Sequence, residues 1–520
     1  MRRLSFIAGI ACAPAALAAQ TASPAPATQP RAQGASAPTS TLREALLLAY
    51  RTNPGITGQR AAQRALDENV PIARSQGLPG VNAQGGYQEF LIIPGNQFAA
   101  AQRQASAQTQ LSVPLYQGGA VRNSVRAAET RVDAGRAQLR GTEADLFTNV
   151  VAAYMDVIRD DAVVSLNRQN VRVLEVNLRA SRDRFQVGDL TRTDVAQSEA
   201  RLALARAQLQ QAEARLIGSR ENYINFVGEP AGTLQDPPAL PNLPADPGEA
   251  VAAALADNPF LQAAIVNRQA SRFDVGVARA ARLPQVSATL GGGYANNLGS
   301  AGTTGFVVAN SFTQATAGLS LNLPIFQGGR PAAQVRQAQA RESQAIENVT
   351  LQERAVVAQA RSAFAAYRSS REVIASAEVA VAANRLSLEG VRAENGVGTR
   401  TILDILNAEQ ELLNSQVTLV SARRDAYVAG FALLAATGNA EARDLRLDGG
   451  PLYDPSVNYR RVRRSAWDFG SDPAPEPVAT STARTPAQDA RVVRPTDPAL
   501  DAPVDRTGPL TTGEASPNRQ

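Results

Sequence analysis

Val113-Pro114-Leu115-Tyr116-Gln117-Gly118-Gly119 and Leu323-Pro324-Ile325-Phe326-Gln327-Gly328-Gly329 are two copies of one seven-residue stretch, and they decide the fold. Apolar residues alternate with period two before each copy and recur with helical spacing after it, so each copy marks a switch from a strand to a long helix. Proline suits a strand end because it cannot donate to a ladder, and the two glycines let the backbone turn. Two such switches in a chain of 520 residues predict a duplicated unit.

The first pair of strands is predicted at 79–90 and 104–115, where apolar and polar residues alternate. In a β-sandwich the apolar face would pack in a core, whereas in an outer-membrane barrel it would meet lipid. A length of about ten residues is enough for a tilted strand to cross a membrane. The alternation by itself leaves both alternatives open.

The helix after Gly119 decides between them. No proline occurs from Ala120 to Phe185, which predicts a helix of about 66 residues, roughly 100 Å long at 1.5 Å per residue. Its apolar residues follow heptads with one four-residue step, a pattern typical of a coiled coil that is locally unwound. A compact domain does not contain a helix of this length, so the strands are interpreted as a barrel wall joined to a long helical part.

A return helix is predicted from about residue 193 to Val227. Gly188 is the expected positive-φ residue of the turn that precedes it, and Thr193 or Asp194 can cap it. The second half repeats the plan, because Pro114 corresponds to Pro324 and Gly188 to Gly398 at a common offset of 210 residues. A further helix is expected at about 249–282.

The sequence therefore divides into segments of different character. These are a signal peptide at 1–18, a flexible lead-in at 19–40, a first repeat at 41–228, a Gly/Pro-rich equatorial segment at 229–248, a second repeat at 249–438, and a C-terminal extension at 439–520 that we expect to be disordered after about residue 470. The basic cluster at 459–464 either binds an anionic partner surface or is a solvated tail.

The N-terminus has the pattern of a secretory signal, with Arg2 and Arg3 before an apolar run and a small-x-small site at Ala16-Leu17-Ala18. No later apolar run is long enough for a transmembrane helix. Cys12 lies inside the signal, so the mature chain is expected to lack disulfides; lipidation of Cys12 is the alternative.

Composition limits the chemistry that the chain can perform. The sequence has no histidine, which removes His-based catalytic triads and most zinc sites, and it has no glycine-rich phosphate loop with lysine. We therefore expect no catalytic residues, no metal and no cofactor. All basic residues are arginines, and their number is not taken to indicate nucleic-acid binding.

Two strands, a very long helix, a turn and a half-length return helix, all duplicated, resemble the TolC family of outer-membrane efflux channels over about residues 40–440. The most specific stretch is Val397-Gly398-Thr399-Arg400-Thr401-Ile402-Leu403-Asp404-Ile405-Leu406-Asn407-Ala408, which resembles the family's inner hairpin turn. The stretch from Ser112 resembles its strand-to-helix junction, with Pro114, Gly118 and Gly119 repeated as Pro324, Gly328 and Gly329.

The resemblance implies an α+β membrane protein. Three protomers would each give four strands to one shared twelve-stranded barrel in the outer membrane, and their helices would form a coiled-coil tunnel through the periplasm. The residues agree, because four strands cannot close a barrel and unpaired strand edges are not tolerated in lipid. The chain must therefore oligomerise, while the number three comes from the resemblance.

The resemblance also implies a gate at the hairpin tips. Asp404 corresponds to an acidic residue that forms a constricting ring, and such a ring favours cations; the alternative for Asp404 is a helix cap. Arg400 corresponds to an arginine that links neighbouring hairpins and holds the tip shut. Thr193 and Asp194 correspond to its partners on the outer hairpin.

Two positions depart from the family pattern at this gate. Asn407 stands where some members have a second ring aspartate, and Asn395 stands where some have a tyrosine that locks the gate. A single acidic ring and a lock with fewer contacts are therefore expected.

Three functions follow as hypotheses. The first is a passive export duct that joins a periplasmic adaptor and an inner-membrane ABC or proton-driven transporter to the outside. The second, a secreted coiled-coil structural protein or adhesin, explains the heptads but not the strands. The third, an extracytoplasmic enzyme, has no residue pattern in its favour.

Overall fold

The computed structural model describes residues 40–92, 101–241, 243–300, 309–447, 452–494 and 500. The predicted signal peptide and all but the last residue of the predicted lead-in lie outside these ranges. The described helices are α1 (Leu42–Thr52), α2 (Pro54–Asp67), α3 (Asn69–Ser75), α4 (Ala120–Gln186), α5 (Arg192–Val227), α6 (Pro247–Asp257), α7 (Pro259–Ala280), α8 (Arg330–Gly396), α9 (Ile402–Ala436) and α10 (Ser456–Val462). The described strands are β1 (Gly80–Glu89), β2 (Arg103–Gln117), β3 (Gln285–Asn296) and β4 (Ser311–Asn322).

The four strands form one antiparallel sheet in the order β1-β2-β3-β4. Gly80 is opposite Ser112 at one end of the β1–β2 pair, and Gln285 is opposite Asn322 in the β3–β4 pair. Strands β1 and β4 are the sheet edges, and every residue of both strands is exposed in the single chain. The sheet is therefore open, with two unpaired edges that can hydrogen-bond to another chain.

Each junction stretch joins a strand to a 67-residue helix, as the sequence predicts. Gly118 and Gly119 have φ values of 61° and 83°, and Gly328 and Gly329 have 60° and 81°. At Gly118 a side chain is excluded by space as well, because an added Cβ would lie 2.9 Å from the carbonyl oxygen of Ala280. The prediction that proline ends the strand is correct for Pro324, which follows β4.

The prediction that proline ends the strand is wrong for Pro114, which lies inside β2. The pairing of β2 with β3 shifts register between Pro114 and Tyr116. A bulge of this kind lets a residue without an N–H sit within a strand.

The short helices before the strands continue the return helices. Asn53 caps α2 and donates from Nδ2 to the carbonyl oxygen of Phe226 at 2.9 Å, in the last turn of α5. Asn258 caps α7 and donates in the same way to Ala436 in the last turn of α9, at 3.1 Å. Each return helix thus ends where a helix that leads to the sheet begins, and the duplication extends to individual hydrogen bonds.

The prediction of one helix at about 249–282 is wrong, because the structure has two helices there. Asn258 adopts an extended conformation with ψ of 120° and separates α6 from α7. The reason is Pro259, which cannot donate within a helix and forces the preceding residue out of helical geometry. Helix α6 packs on α8, and α7 packs between α4 and α8.

The two long helices differ in burial although they have equal length. Helix α4 has 28 buried residues, and α8 has seven. Most predicted heptad positions of α4 are buried, from Val132 to Leu178, but Phe185 at the tip is 44% exposed. Helix α4 packs against α5, α7, α9 and the short N-terminal helices, whereas much of α8 is left uncovered.

Disorder is expected after residue 470, but part of the segment that the structure describes, 470–494, makes specific contacts, while 495–499 and 501–520 lie outside the described residues. Residues 470–494 lack helix and strand, but residues 488–494 lie against α4 and α5. The nearly buried Arg220 pairs with Asp161 at 3.3 Å and with Asp489 at 3.2 Å, and it donates to the carbonyl oxygen of Arg491 at 2.8 Å. Polar side chains and backbone carbonyls hold the segment, and a composition rich in proline and alanine does not reveal such contacts.

None of the described helices is both long and apolar enough to cross a membrane.

Candidate functional site at the hairpin tips

Two hairpin tips lie at the ends of the long helices that are far from the sheet. Gly188 has a φ of 83° and Gly398 a φ of 84°, which confirms both as the positive-φ residues of their turns. Thr399 donates its backbone N–H to the carbonyl oxygen of Glu394 at 3.0 Å, and Asp189 donates to Arg184 at 2.9 Å. These bonds close the last helical turns in the manner of a glycine C-cap.

Both return helices begin with a capping box. Thr401 caps α9, and the Asp404 carboxylate accepts from the Thr401 backbone N–H at 3.0 Å and from its hydroxyl at 2.8 Å. Thr191 and Asp194 repeat this arrangement at α5. The prediction that Thr193 or Asp194 caps α5 is wrong for Thr193, because the N-cap residue is Thr191, whereas Asp194 does take part in the cap as the third helical residue of the capping box.

The cap also fixes the charge of both aspartates. The hydrogen bonds from Thr401 lower the pKa of Asp404, chiefly through its backbone N–H, and those from Thr191 lower the pKa of Asp194, chiefly through its hydroxyl. Both carboxylates are therefore ionised at neutral pH. The cap and the gate are compatible roles for Asp404, because a capping carboxylate at an exposed helix start still contributes negative charge to the tip.

Arg400 has a partner that the sequence analysis missed. Its Nε lies 2.7 Å from Glu394 Oε2, and this carboxylate raises the pKa of the guanidinium. Both side chains are half exposed. Asn395 donates from Nδ2 to the carbonyl oxygen of Arg400 at 2.8 Å and so closes the same turn. The sequence could have indicated this pair, since Glu394 and Arg400 carry opposite charges on either side of a predicted turn.

Within the single chain Arg400 does not contact its expected partners on the outer hairpin, and its role between hairpins of the assembled tip stays a prediction. Among the described residues Arg400 forms no hydrogen bond or salt bridge with Thr193 or Asp194. The hairpins are joined by Arg201 of α5, which donates from Nη2 to Asn407 Oδ1 at 2.7 Å, and by Leu406, which is buried against the outer hairpin. Arg201 was missed as well. Its one signal in the sequence is its place one heptad after Asp194.

Ion pairs within each hairpin support the tips. Arg182 pairs with Glu199 at 2.6 Å in the outer hairpin, and Arg392 pairs with Glu409 in the inner one. Arg392 and Glu409 also line an open cavity of about 360 Å³ between α4, α8 and α9. In the described ranges no group of three or more His, Cys, Asp or Glu side chains is arranged to hold a metal ion.

The comparisons with known proteins agree with this architecture. The family model described as outer membrane efflux protein matches residues 46–228 and 250–439. The outer membrane efflux protein BepC of Brucella suis is 36% identical over 431 residues, which cover 83% of this chain and 92% of BepC. The outer membrane protein TolC of Escherichia coli is 27% identical over 460 residues, which cover 84% of this chain and 91% of TolC.

Solved structures show the same fold at lower identity. The CmeC outer membrane channel of Campylobacter jejuni matches with a TM-score of 0.69 at 17% identity, over 81% of this chain and 89% of CmeC. The outer membrane protein VceC of Vibrio cholerae matches with a TM-score of 0.65 at 21% identity, over 76% of this chain and 96% of VceC. Since the family model matches both halves of the chain and BepC is 36% identical to it, the chain belongs to the outer membrane efflux protein family, the TolC-type channels of the outer membrane whose tunnel lies in the periplasm.

Proposed function

We propose that the chain forms a homotrimeric channel-tunnel that passively conducts export substrates out of the periplasm. The observation that carries the proposal is the open four-stranded sheet, whose two edges are unpaired and whose strands lead directly into 67-residue helices. An open sheet cannot remain in hydrocarbon, because unsatisfied backbone groups there cost several kcal/mol each. Three copies close a twelve-stranded barrel, and the helices below it enclose a tunnel.

The exposed apolar side chains of α8 support the same assembly. Leu351 is 62% exposed and Val379 is 64% exposed, whereas the corresponding helix α4 is largely covered within the chain. A neighbouring protomer that packs on α8 removes these side chains from water at a gain of about 25 cal/mol per Å². A secreted adhesin, the second candidate, would need neither the open sheet nor this uncovered helix.

The channel works with a periplasmic adaptor and an inner-membrane transporter in this proposal, and it is not an enzyme. The cargo is a drug, a toxin or a secreted protein. Relatives include the alkaline protease secretion protein AprF of Pseudomonas aeruginosa, 27% identical over 349 residues, which favours a secreted protein as one class of cargo.

The gate consists of Arg400 and Asp404 on the inner hairpin, with Asn395 and Asn407 beside them. Thr193 and Asp194 belong to the outer hairpin that the inner one meets when the tip is closed. Three Asp404 carboxylates around one axis form a negative ring, and a ring of this kind favours cations. The exposed polar contacts at the tips are individually weak, on the order of 0–1 kcal/mol, so that a docked partner can open them.

The decisive experiment is reconstitution of the purified protein in a planar bilayer. We expect that the protein must be extracted with detergent, that it is a trimer, and that its insertion produces discrete steps in conductance. A protein that is soluble without detergent and produces no conductance would refute the channel and favour the adhesin.

A further inference from the structure

The C-terminal extension brings five arginines together next to the sheet. The cluster at 459–464 is not a solvated tail. Val462 is buried, and Tyr459 packs with Val70 and Val132 of α3 and α4. This packing places the following residues against the first turns of α4, where an open cavity of about 480 Å³ has arginines on several sides. The arginines that line it are Arg74, Arg122, Arg126, Arg463 and Arg464.

The cavity is strongly positive. All five arginines are exposed, and none of them forms a salt bridge with a carboxylate among the described residues. Arg74 donates to the carbonyl oxygen of Arg463 at 3.5 Å, and Arg126 lies 6.0 Å from the ring centre of Phe273. The one acidic side chain that lines the cavity is Glu129. Guanidinium groups match phosphate oxygens in charge and geometry, and they bind them in pairs of parallel hydrogen bonds.

An aromatic loop follows directly. Asn458 contacts Asp67 in α2, and Arg463 contacts Arg74 in α3, so that α10 runs along the short helices toward the sheet. Arg461 then pairs with Asp472 at 2.8 Å, so that the chain turns back between these residues. The apex of the turn carries Trp467 and Phe469, which are 73% and 86% exposed and lie edge to face.

The height of this loop relative to the membrane follows from the helix. Arg122 and Arg126 come three and seven residues after Gly119, which is about 5 Å and about 10 Å along the axis. The headgroup layer on each side of a bilayer is about 5–8 Å thick. If the strand-to-helix junction lies at the hydrocarbon boundary, as the outer-membrane placement of the family requires, the backbone of Arg122 lies within the headgroup layer and that of Arg126 just beyond it. Helix side chains tilt toward the N-terminus, which is the membrane side of α4, so the guanidinium of Arg126 reaches the headgroups.

We propose that Arg74, Arg122, Arg126, Arg463 and Arg464 bind the phosphate of an anionic phospholipid in the periplasmic leaflet while Trp467 and Phe469 insert at the interface. Basic pockets beside membrane segments bind anionic headgroups, and tryptophan is enriched at membrane interfaces. The C-terminal extension thus anchors the outer surface of each protomer to the membrane that its sheet crosses.

The chain provides its own probe, because Trp467 is the one tryptophan in the sequence. The full-length protein is reconstituted in phosphatidylethanolamine vesicles, with or without phosphatidylglycerol, whose acyl chains are brominated near the headgroup. We expect bromine to quench Trp467 emission, and phosphatidylglycerol to strengthen the quenching. The affinity for phosphatidylglycerol is obtained from quenching as a function of its fraction in the vesicles. In the double variant Arg463→Gln/Arg464→Gln this affinity should fall about fivefold for each arginine removed.

The matched control is Arg484→Gln, an exposed arginine farther along the same extension, and it should behave as the unaltered protein. Equal quenching with and without phosphatidylglycerol, no quenching in either, or no effect of the double variant would each overturn the proposal. Conductance of the same vesicles is recorded in parallel, which separates failure of this lipid site from failure of the channel.

Discussion

Asn407 on α9 accepts a hydrogen bond of 2.7 Å from Arg201 on α5, and this contact joins the inner hairpin to the outer hairpin near the tips. The two residues are 206 positions apart in the chain. This hydrogen bond and the packing of the buried Leu406 of α9 against Leu178 and Leu202 of the outer hairpin together restrain how far the two hairpins can separate. We therefore expect this hydrogen bond to oppose separation of the tips.

Arg201→Ala should favour the open channel. An exposed charge-assisted bond of this kind contributes about 0–1 kcal/mol, so we expect the ratio of open to closed states to rise by up to about fivefold. Single-channel recording measures the change. Arg206→Ala is the control, because Arg206 pairs with Glu175 within the outer hairpin at 2.8 Å. If both variants conduct alike, the contact between hairpins does not restrain the gate.

Asp404→Asn should reduce cation preference. The substitution removes the negative charge and leaves an amide oxygen that can still accept from Thr401, so the cap of α9 is largely kept. The reversal potential in a salt gradient measures the preference. Thr401→Ala is the matched control, since it weakens the same cap but retains the carboxylate. A reversal potential that changes in Thr401→Ala and stays constant in Asp404→Asn would show that only the cap matters.

Arg400→Ala should raise conductance if Arg400 holds neighbouring hairpins together in the trimer. Its contact with Glu394 lies within one turn, so Glu394→Gln tests the competing explanation that Arg400 only stabilises this turn. We expect Arg400→Ala to open the channel, by up to about fivefold in the open fraction, and Glu394→Gln to leave it closed. Equal opening in both variants of a correctly assembled trimer would assign Arg400 to the turn alone.

The long helices could be predicted from the sequence, whereas the exact start of α5 could not. A heptad pattern that continues without proline over 120–185 indicates one continuous helix. The cap of α5 was assigned to the wrong threonine, although the spacing of Thr191 and Asp194 is that of a capping box. Two threonines compete there, and local sequence does not say which one leaves helical geometry.

Contacts between distant parts of the chain were not predictable. Periodicity assigns Arg201 to a face of α5 but does not identify Asn407 as its partner, because that depends on how two hairpins pack. The extension was expected to be disordered for a similar reason: its composition is polar and rich in proline, and its order depends on groups elsewhere, such as Arg220. The gate residues on the inner hairpin came from family resemblance, and their roles remain predictions.

The stability of the periplasmic part should fall as pH rises, because of Glu143 on α4. Its carboxylate accepts a hydrogen bond from the backbone of Ala442 in the segment after α9. The pKa of Glu143 is raised from 4.5 to about 7, chiefly by burial and also by the nearby Glu441 and Asp444 carboxylates, while the bond from Ala442 and the charge of Arg60 act in the opposite direction. Between these values the folded protein binds a proton that the unfolded chain has released, so unfolding becomes more favourable with rising pH.

The loss is complete above about pH 7 and amounts to at most about 3 kcal/mol, at 1.36 kcal/mol per pKa unit. Thermal unfolding in detergent at about pH 5 and about pH 8 measures it. Glu143→Gln keeps an oxygen for the Ala442 N–H and removes the titration, so it should shrink the difference in midpoint between the two conditions. Glu353→Gln on an exposed part of α8 should not. An equal midpoint difference in unaltered protein and in Glu143→Gln would mean that another group, such as Glu441, whose pKa burial also raises, controls the response.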